Sequence, residues 1–214
     1  MCLFLGIAPI RLVAQVPPQE HVVFDSARST TEDVYIVRIT PDRYWLASTD
    51  YERCGIADAQ FKIVVPVTYR GIQLLHEGLL AACIVDGKCG YIDVNGKELL
   101  PFIYKNAGSF SDGMAFVTDS TGQKIFIDHN GKKKFDAPYD NCDEFSEGRA
   151  IVFKGGGRGY IDHRGKLVVP IRYKEAERFK NNRARVRLGD DYFIINRRGK
   201  IKAKAGHWTS PPYD

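Results

Sequence analysis

An all-β fold made of tandem repeats is what this chain predicts, and three observations carry the prediction. The apolar residues Ile56, Tyr91, Phe126, Tyr160 and Ile194, each just before a turn, stand 35, 35, 34 and 34 residues apart. A turn aspartate recurs with them as Asp58, Asp93, Asp128 and Asp162, becoming Asn196 in the last copy. A glycine follows three positions later at Gly96, Gly131, Gly165 and Gly199. A fixed period in the range of roughly 20–50 residues marks stacked or circularly arranged units. The predicted fold is therefore a series of repeats of about 35 residues with three strands each, forming an open β-array. Closure into a small propeller is the alternative, although propeller blades usually have four strands and about 40 or more residues.

The copy from Lys88 to Gly122 shows the elements in order. Cys89 to Asp93 alternates and is rich in β-formers, which predicts a short strand. Asp93 to Lys97 predicts a hairpin connection: the aspartate bonds the backbone two residues on, and Gly96 takes the left-handed position of a type I turn with a bulge. Glu98 to Tyr104 is the second strand, and Pro101 places it at an edge or bulge, because proline has no N–H for a ladder. Asn106 to Gly113 is a loop anchored by Phe110, and Met114 to Thr118 is the third strand. The pairs Ala115/Val117, Ala150/Val152 and Ala184/Val186 are two apart, so each shares one strand face and points to the core.

The pattern G-Y-I-D-x-x-G-K-x-x-x-P-x-x-Y-x-x-x-x-x-F-x-x-G-x-A-x-V resembles the WG-repeat family of bacterial β-structured repeats, over roughly Arg53 to Lys204. One departure stands out: Cys54, Cys89, Lys124, Arg158 and Tyr192 hold the place of the tryptophan that names the family. Gly55, Gly90 and Gly159 remain beside it. The resemblance implies a binding or scaffold module, often exported, and speaks to fold far more than to function.

The repeats divide as 53–87, 88–122, 123–156, 157–190 and a partial 191–204. Residues 16–52 are not a clear copy; strands at Val34–Ile39 and Tyr44–Ser48 predict an N-terminal β cap that covers the first edge. Met1 to Gln15 is an apolar run ending in Leu-Val-Ala-Gln, which resembles the core and cleavage site of a secretory leader, with a first strand docked on the array as the competing reading. Residues 205–214 form a tail, in which Trp208 is expected to fold back on the last strand. No run approaches the roughly 18 apolar residues of a membrane-spanning helix.

Of the cysteines after that leader, Cys54, Cys83, Cys89 and Cys142, the pair Cys83 and Cys89 flanks Asp86-Gly87. A two-residue hairpin there would put them on opposite faces, so Cys54 and Cys89, equivalent positions in adjacent repeats, are the better disulfide candidates, with unbonded buried thiols as the competing reading. Asp128, His129, Asp162 and His163 could be drawn as a metal ladder, but turn capping explains the aspartates and no metal site is expected. Gly155 to Gly159 superficially resembles a phosphate cradle; with no helix after it, a tight reversal is the expectation. Neither a nucleophile–base pair nor paired catalytic carboxylates stand out, so no cofactor and no catalytic residue are predicted.

Charge separates the regions. Arg158 to Gly206 holds 15 Lys/Arg against 5 Asp/Glu, a net of +10, whereas the whole chain is +5. Arg183, Arg185 and Arg187 alternate with Ala184, Val186 and Leu188, which puts three arginines on the outer face of one strand. A solvated face that deters edge pairing is one reading; a docking strip for carboxylate or phosphate groups is the other. The expectation is a non-enzymatic, exported binding or scaffold module, periplasmic or on the cell surface, with a protein or anionic envelope polymer as partner. Nucleic acid is disfavoured. An accessory enzyme acting on cell-envelope polymers is the alternative.

Overall fold

The computed structural model describes residues 11–13, 20–23, 33–40, 42–48, 53–60 and 62–207. Strands β1 (Arg11–Val13), β2 (Glu20–Val23), β3 (Asp33–Thr40), β4 (Arg43–Ser48), β5 (Cys54–Asp58) and β6 (Ile63–Tyr69) form one antiparallel sheet in chain order. Strand β4 pairs with β5, the first strand of the first repeat. Within the stretch read as a leader, Arg11–Val13 pairs with β2, while residues 1–10 and 14–15 lie outside the described residues, as does Trp208.

Strands β7 (Gly71–Ile72), β8 (Leu80–Cys83), β9 (Cys89–Ile92) and β10 (Glu98–Tyr104) make the second sheet. The two-residue β11 (Asn106–Ala107) closes the first of two compact units, 1–107 and 108–214. In the second unit, β12 (Ala115–Thr118), β13 (Lys124–Ile127) and β14 (Lys133–Asp136) pair in order. A fourth sheet follows from β15 (Asn141–Ser146), β16 (Arg149–Lys154), β17 (Gly157–Ile161) and β18 (Leu167–Tyr173). The fifth holds β19 (Glu175–Ala176), β20 (Arg183–Leu188), β21 (Asp191–Asn196) and β22 (Ile201–His207). The loop before each third predicted strand thus contributes a strand of its own, which brings the second, fourth and fifth sheets to four strands. The sheets are also out of phase with the repeats: residues 123–156 give β13 and β14 to one sheet and β15 and β16 to the next.

Each element follows from its residues. Asp58, Asp93, Asp119, Asp128, Asp162 and Asn196 each accept two backbone N–H bonds through Oδ1, from the residues two and four positions on. The glycine of the turn sits at positive φ, 73° at Gly131, where a side chain would be strained. Pro66, Pro101 and Pro170 lie on β6, β10 and β18, each at the edge of its sheet as its missing N–H requires. The alanine–valine pairs are buried, and Phe110, Phe145 and Phe179 are almost wholly so. In the second unit one core gathers around Phe126, Phe145 and Val152, another around Tyr160, Phe179 and Val186.

Gly55, Gly90 and Gly159 are required by crowding: a Cβ would meet Val65 O at 2.5 Å, Leu100 O at 2.8 Å and Val169 O at 2.6 Å. The tryptophan positions are filled by cysteine, lysine, arginine and tyrosine. Lys124 reaches the carbonyls of Tyr139 and Asp140, and the Arg158 guanidinium lies 5.3 Å from the Phe153 ring centroid.

The cysteine pairing corrects the sequence reading. Cys83 is bonded to Cys89, and the two are directly opposed in the β8–β9 ladder. Ile84 N donates to Lys88 O and Gly87 N to Ile84 O, so the connection is the same bulged turn as elsewhere and not a two-residue hairpin. The shift is one residue, which exchanges every side chain between faces. Cys54 and Cys142 are buried thiols outside this bond.

In the second unit, successive repeats interlock through one loop. Ser111 Oγ donates to Phe145 O at 2.6 Å, and Ser146 Oγ to Phe179 O at 2.7 Å. Asp112 accepts Gly148 N at 2.7 Å, and Glu147 accepts Asn181 N and Asn182 N at 2.6 and 2.7 Å. Both acids sit at positive φ, 51° and 52°, a strained conformation for a residue with a side chain. The carboxylate bonds to the next turn offset that strain.

Candidate functional site

Strand β20 carries the three arginines singled out by the sequence. Ala184 and Val186 point into the core, 3% and 0% exposed, so Arg183, Arg185 and Arg187 share the opposite face. Across the ladder on β21 they stand opposite Asn196, Ile194 and Tyr192 respectively. Alternate side chains on a strand are about 6.5–7 Å apart, so the row is continuous.

The three are not equivalent. Arg187 is held against Glu175 at 2.9 Å, and its side chain is only 17% exposed. Arg185 pairs with Glu177 at 2.9 Å, and its guanidinium lies 4.5 Å from the Tyr192 ring centroid. Tyr192 in turn donates its hydroxyl to Glu175 at 2.8 Å, and that bond to the carboxylate pushes the phenol upward from its ordinary range. Arg183 is exposed and makes no ion pair among the described residues. The repeat pattern does not disclose Glu175 and Glu177, because β19 lies in the segment equivalent to the predicted loop Asn106–Gly113. Their spacing of two was the available signal, since it puts both on the face of their arginine partners.

A shallow groove runs beside Arg183 and Arg185, with Glu177, Arg178, Lys180 and Ile194 also on its walls. Arg178 is anchored below by Asp143 and Glu144 at 2.6 and 2.7 Å, and the bond to Asp143 raises its pKa further. Arg149 is shifted the other way by desolvation; its Nε donates to Arg197 O at 2.9 Å.

The other candidates resolve into structure. Asp128 and Asp162 are turn caps, while His129 stacks on Phe110 at 4.5 Å and His163 packs edge-on to Phe145 at 4.6 Å. Among the described residues no three His, Cys, Asp or Glu side chains are grouped to hold a metal. Gly155 and Gly156 take positive φ between the paired residues Lys154 and Gly157, the tight reversal expected of them. No helix of the described residues is long and apolar enough to cross a membrane.

Meander sheets in tandem, with an inter-repeat ladder and an inner strand whose exposed face is basic, define an all-β repeat protein. Residues 90–192 are WG containing repeats, matched at 90–119, 126–157 and 159–192. Solved structures of similar fold are β-propellers. BamB from Moraxella catarrhalis aligns with a TM-score of 0.51 at 14% identity, covering 92% of this chain and 70% of that one. Hsv2 from Kluyveromyces lactis aligns with a TM-score of 0.50 at 12% identity, covering 76% of this chain and 59% of that one. At such identities the likeness concerns fold alone. A comparison with curated protein sequences gave no match.

Proposed function

We propose that this protein is a non-enzymatic binding module, exported to the periplasm or cell surface, whose β20 face docks an anionic protein or envelope polymer. The observation that carries the reading is the exposed arginine row: Arg183 and Arg185 stand out on a strand in a region of net charge +10. Planar guanidinium forks match carboxylate and phosphate groups. Binding rather than catalysis is supported by the use of the recurring carboxylates, each of which is spent on two backbone N–H groups of its own turn. Export is supported by the Cys83–Cys89 disulfide, since such bonds persist in oxidising compartments.

The test is direct binding to immobilised polyglutamate and polyphosphate over a salt series. The wild-type chain should bind one or both, and affinity should fall steeply with salt. Arg183→Gln with Arg185→Gln should weaken binding and flatten the salt dependence. Arg187 is left in place, because removing it would strip Glu175 of its paired cation. Binding that ignores both salt and the double variant would make the row a solvated face.

A further inference from the structure

The turns that mark the repeats carry a residue their geometry does not require. Lys62, Lys97, Lys132, Lys166 and Lys200 stand four residues after the turn Asp or Asn of every copy. In the second unit the turn uses only the backbone of this lysine. Lys132, Lys166 and Lys200 donate their N–H to the Asp or Asn Oδ1 at 3.1, 3.0 and 3.0 Å. Their carbonyls accept the N–H of that same residue at 3.0, 2.9 and 3.0 Å. Any residue with a backbone N–H and C=O would make those bonds. The chain is pinned alike in each copy, and the ammonium group is left over.

Stacking brings these lysines into register. A Cβ on Gly165 would lie 2.6 Å from Phe135 Cδ2, and one on Gly199 3.1 Å from Val169 Cγ1, so each turn rests on the strand that leaves the preceding turn. Phe135 and Val169 come three residues after Lys132 and Lys166. Stacked sheets lie about 10 Å apart, so the three lysines form a ladder about 20 Å long. Arg164 and Arg198 join it from the positions before the turn glycines. All five side chains are exposed, and none is ion-paired among the described residues. The neighbouring acids are engaged elsewhere: Asp128 with Lys134, Asp136 with Lys133 and Asp112 with His163, at 3.8, 2.6 and 3.6 Å. Asp162 caps its own turn. Segments 128–134, 162–166 and 196–200 hold eight Lys/Arg against two Asp. So concentrated a surplus repels itself, and an external anion relieves it.

We propose that the three stacked turns of the second unit bind a linear phosphate polymer, laid along the ladder with a phosphate group at each of Lys132, Lys166 and Lys200. This surface does not rest on the role of the β20 row; the two adjoin where Arg183 stands opposite Asn196. Lysine holds phosphate as a point charge, whereas the planar fork that matches carboxylate belongs to arginine. A folded protein partner needs an apolar centre to its interface. Here Leu167 and Ile201 are exposed one to a turn, and the first turn carries Lys133 at that place. The same gap disfavours insertion into a lipid surface. Bases of a nucleic acid would find no free ring on these turns, because His129 and His163 lie against Phe110 and Phe145.

The experiment takes the full chain with Arg183→Gln and Arg185→Gln as its parent, so that the β20 row contributes nothing. The ¹⁵N-labelled parent is titrated with long-chain inorganic polyphosphate, tripolyphosphate, polyglutamate and vesicles containing phosphatidylglycerol. Long polyphosphate should shift the amide signals of Lys132, Lys166 and Lys200. It should bind roughly tenfold or more tightly than tripolyphosphate, which is too short to span the turns. Polyglutamate should bind more weakly than long polyphosphate at equal charge. Adding Lys132→Gln, Lys166→Gln and Lys200→Gln keeps every turn bond, so melting should not change. That variant should lose about tenfold in affinity, and the slope of log K against log salt should fall by about two, at roughly 0.7 per phosphate contact in a single-stranded polyanion. No polyphosphate binding by the parent, or binding that ignores the three lysines or the length of the polymer, overturns the proposal and leaves the β20 reading standing. Polyglutamate bound as tightly as polyphosphate overturns the choice of phosphate. Vesicle binding without polyphosphate binding overturns it in favour of a lipid surface.

Discussion

Glu147→Ala probes the junction that holds the repeats of the second unit together. The Glu147 carboxylate accepts Asn181 N at 2.6 Å and Asn182 N at 2.7 Å, both short enough to be charge-assisted. Asn181 and Asn182 are exposed, so water replaces the lost acceptor and each bond is worth only about 0.5–1.5 kcal/mol net. The alanine variant should therefore lose about 1–3 kcal/mol. For a chain of this size about 2 kcal/mol corresponds to a melting shift of roughly 4–8 °C. Glu147→Gly loses the same two bonds but relieves a side chain held at φ 52°, which returns roughly 1 kcal/mol. The order of stability should be wild type, then glycine, then alanine. Thermal melting by circular dichroism gives the order, and hydrogen exchange should show the Asn181 and Asn182 amides losing protection in both variants. An alanine variant as stable as wild type would refute the assigned bonds, and one more stable than the glycine variant would refute the left-handed backbone at position 147.

Three further outcomes follow from packing. Gly159→Ala should destabilise by about 1–3 kcal/mol in urea titration, since its Cβ would lie 2.6 Å from Val169 O and the β17–β18 backbones must part. Reduction of Cys83–Cys89 should cost about 2 kcal/mol, near the low end for a disulfide because the loop it closes is short, and a melt with and without reductant reads it. Burial pushes the Cys142 thiol up to about 12, so it should resist a thiol reagent at pH 8 until the chain unfolds. The folded state holds this proton longer than the unfolded one. Its contribution is therefore complete below the unfolded thiol value of about 8.5 and is lost as pH rises toward 12.

The sequence revealed the repeats because their turns are built from local chemistry: an Asx side chain that bonds its own turn and a glycine at positive φ mark each copy without reference to the rest of the fold. It did not reveal how strands group into sheets. A period has no phase, and β19 has only two residues, too few to show alternation. The hairpin at Cys83 is hidden in the sequence for a related reason. Its turn begins at Ile84 where the others begin with Asp or Asn, so the bulged turn carried no side-chain signature and Asp86-Gly87 suggested a shorter one. The arginine row was legible from alternation alone. Its grading was not, because Glu175 and Glu177 reach Arg187 and Arg185 only across a strand pair.

The central claim, that the β20 face is a docking surface for an anionic partner, is tested most directly by capture from envelope extract. Wild-type chain and the Arg183→Gln, Arg185→Gln variant would serve as bait at low salt and at about 0.5 M salt, where exposed charges are screened within a few ångströms. The account predicts an acidic protein or anionic polymer held by wild type at low salt and released by either the salt or the variant. A partner held equally by both baits at both salt concentrations would contradict it.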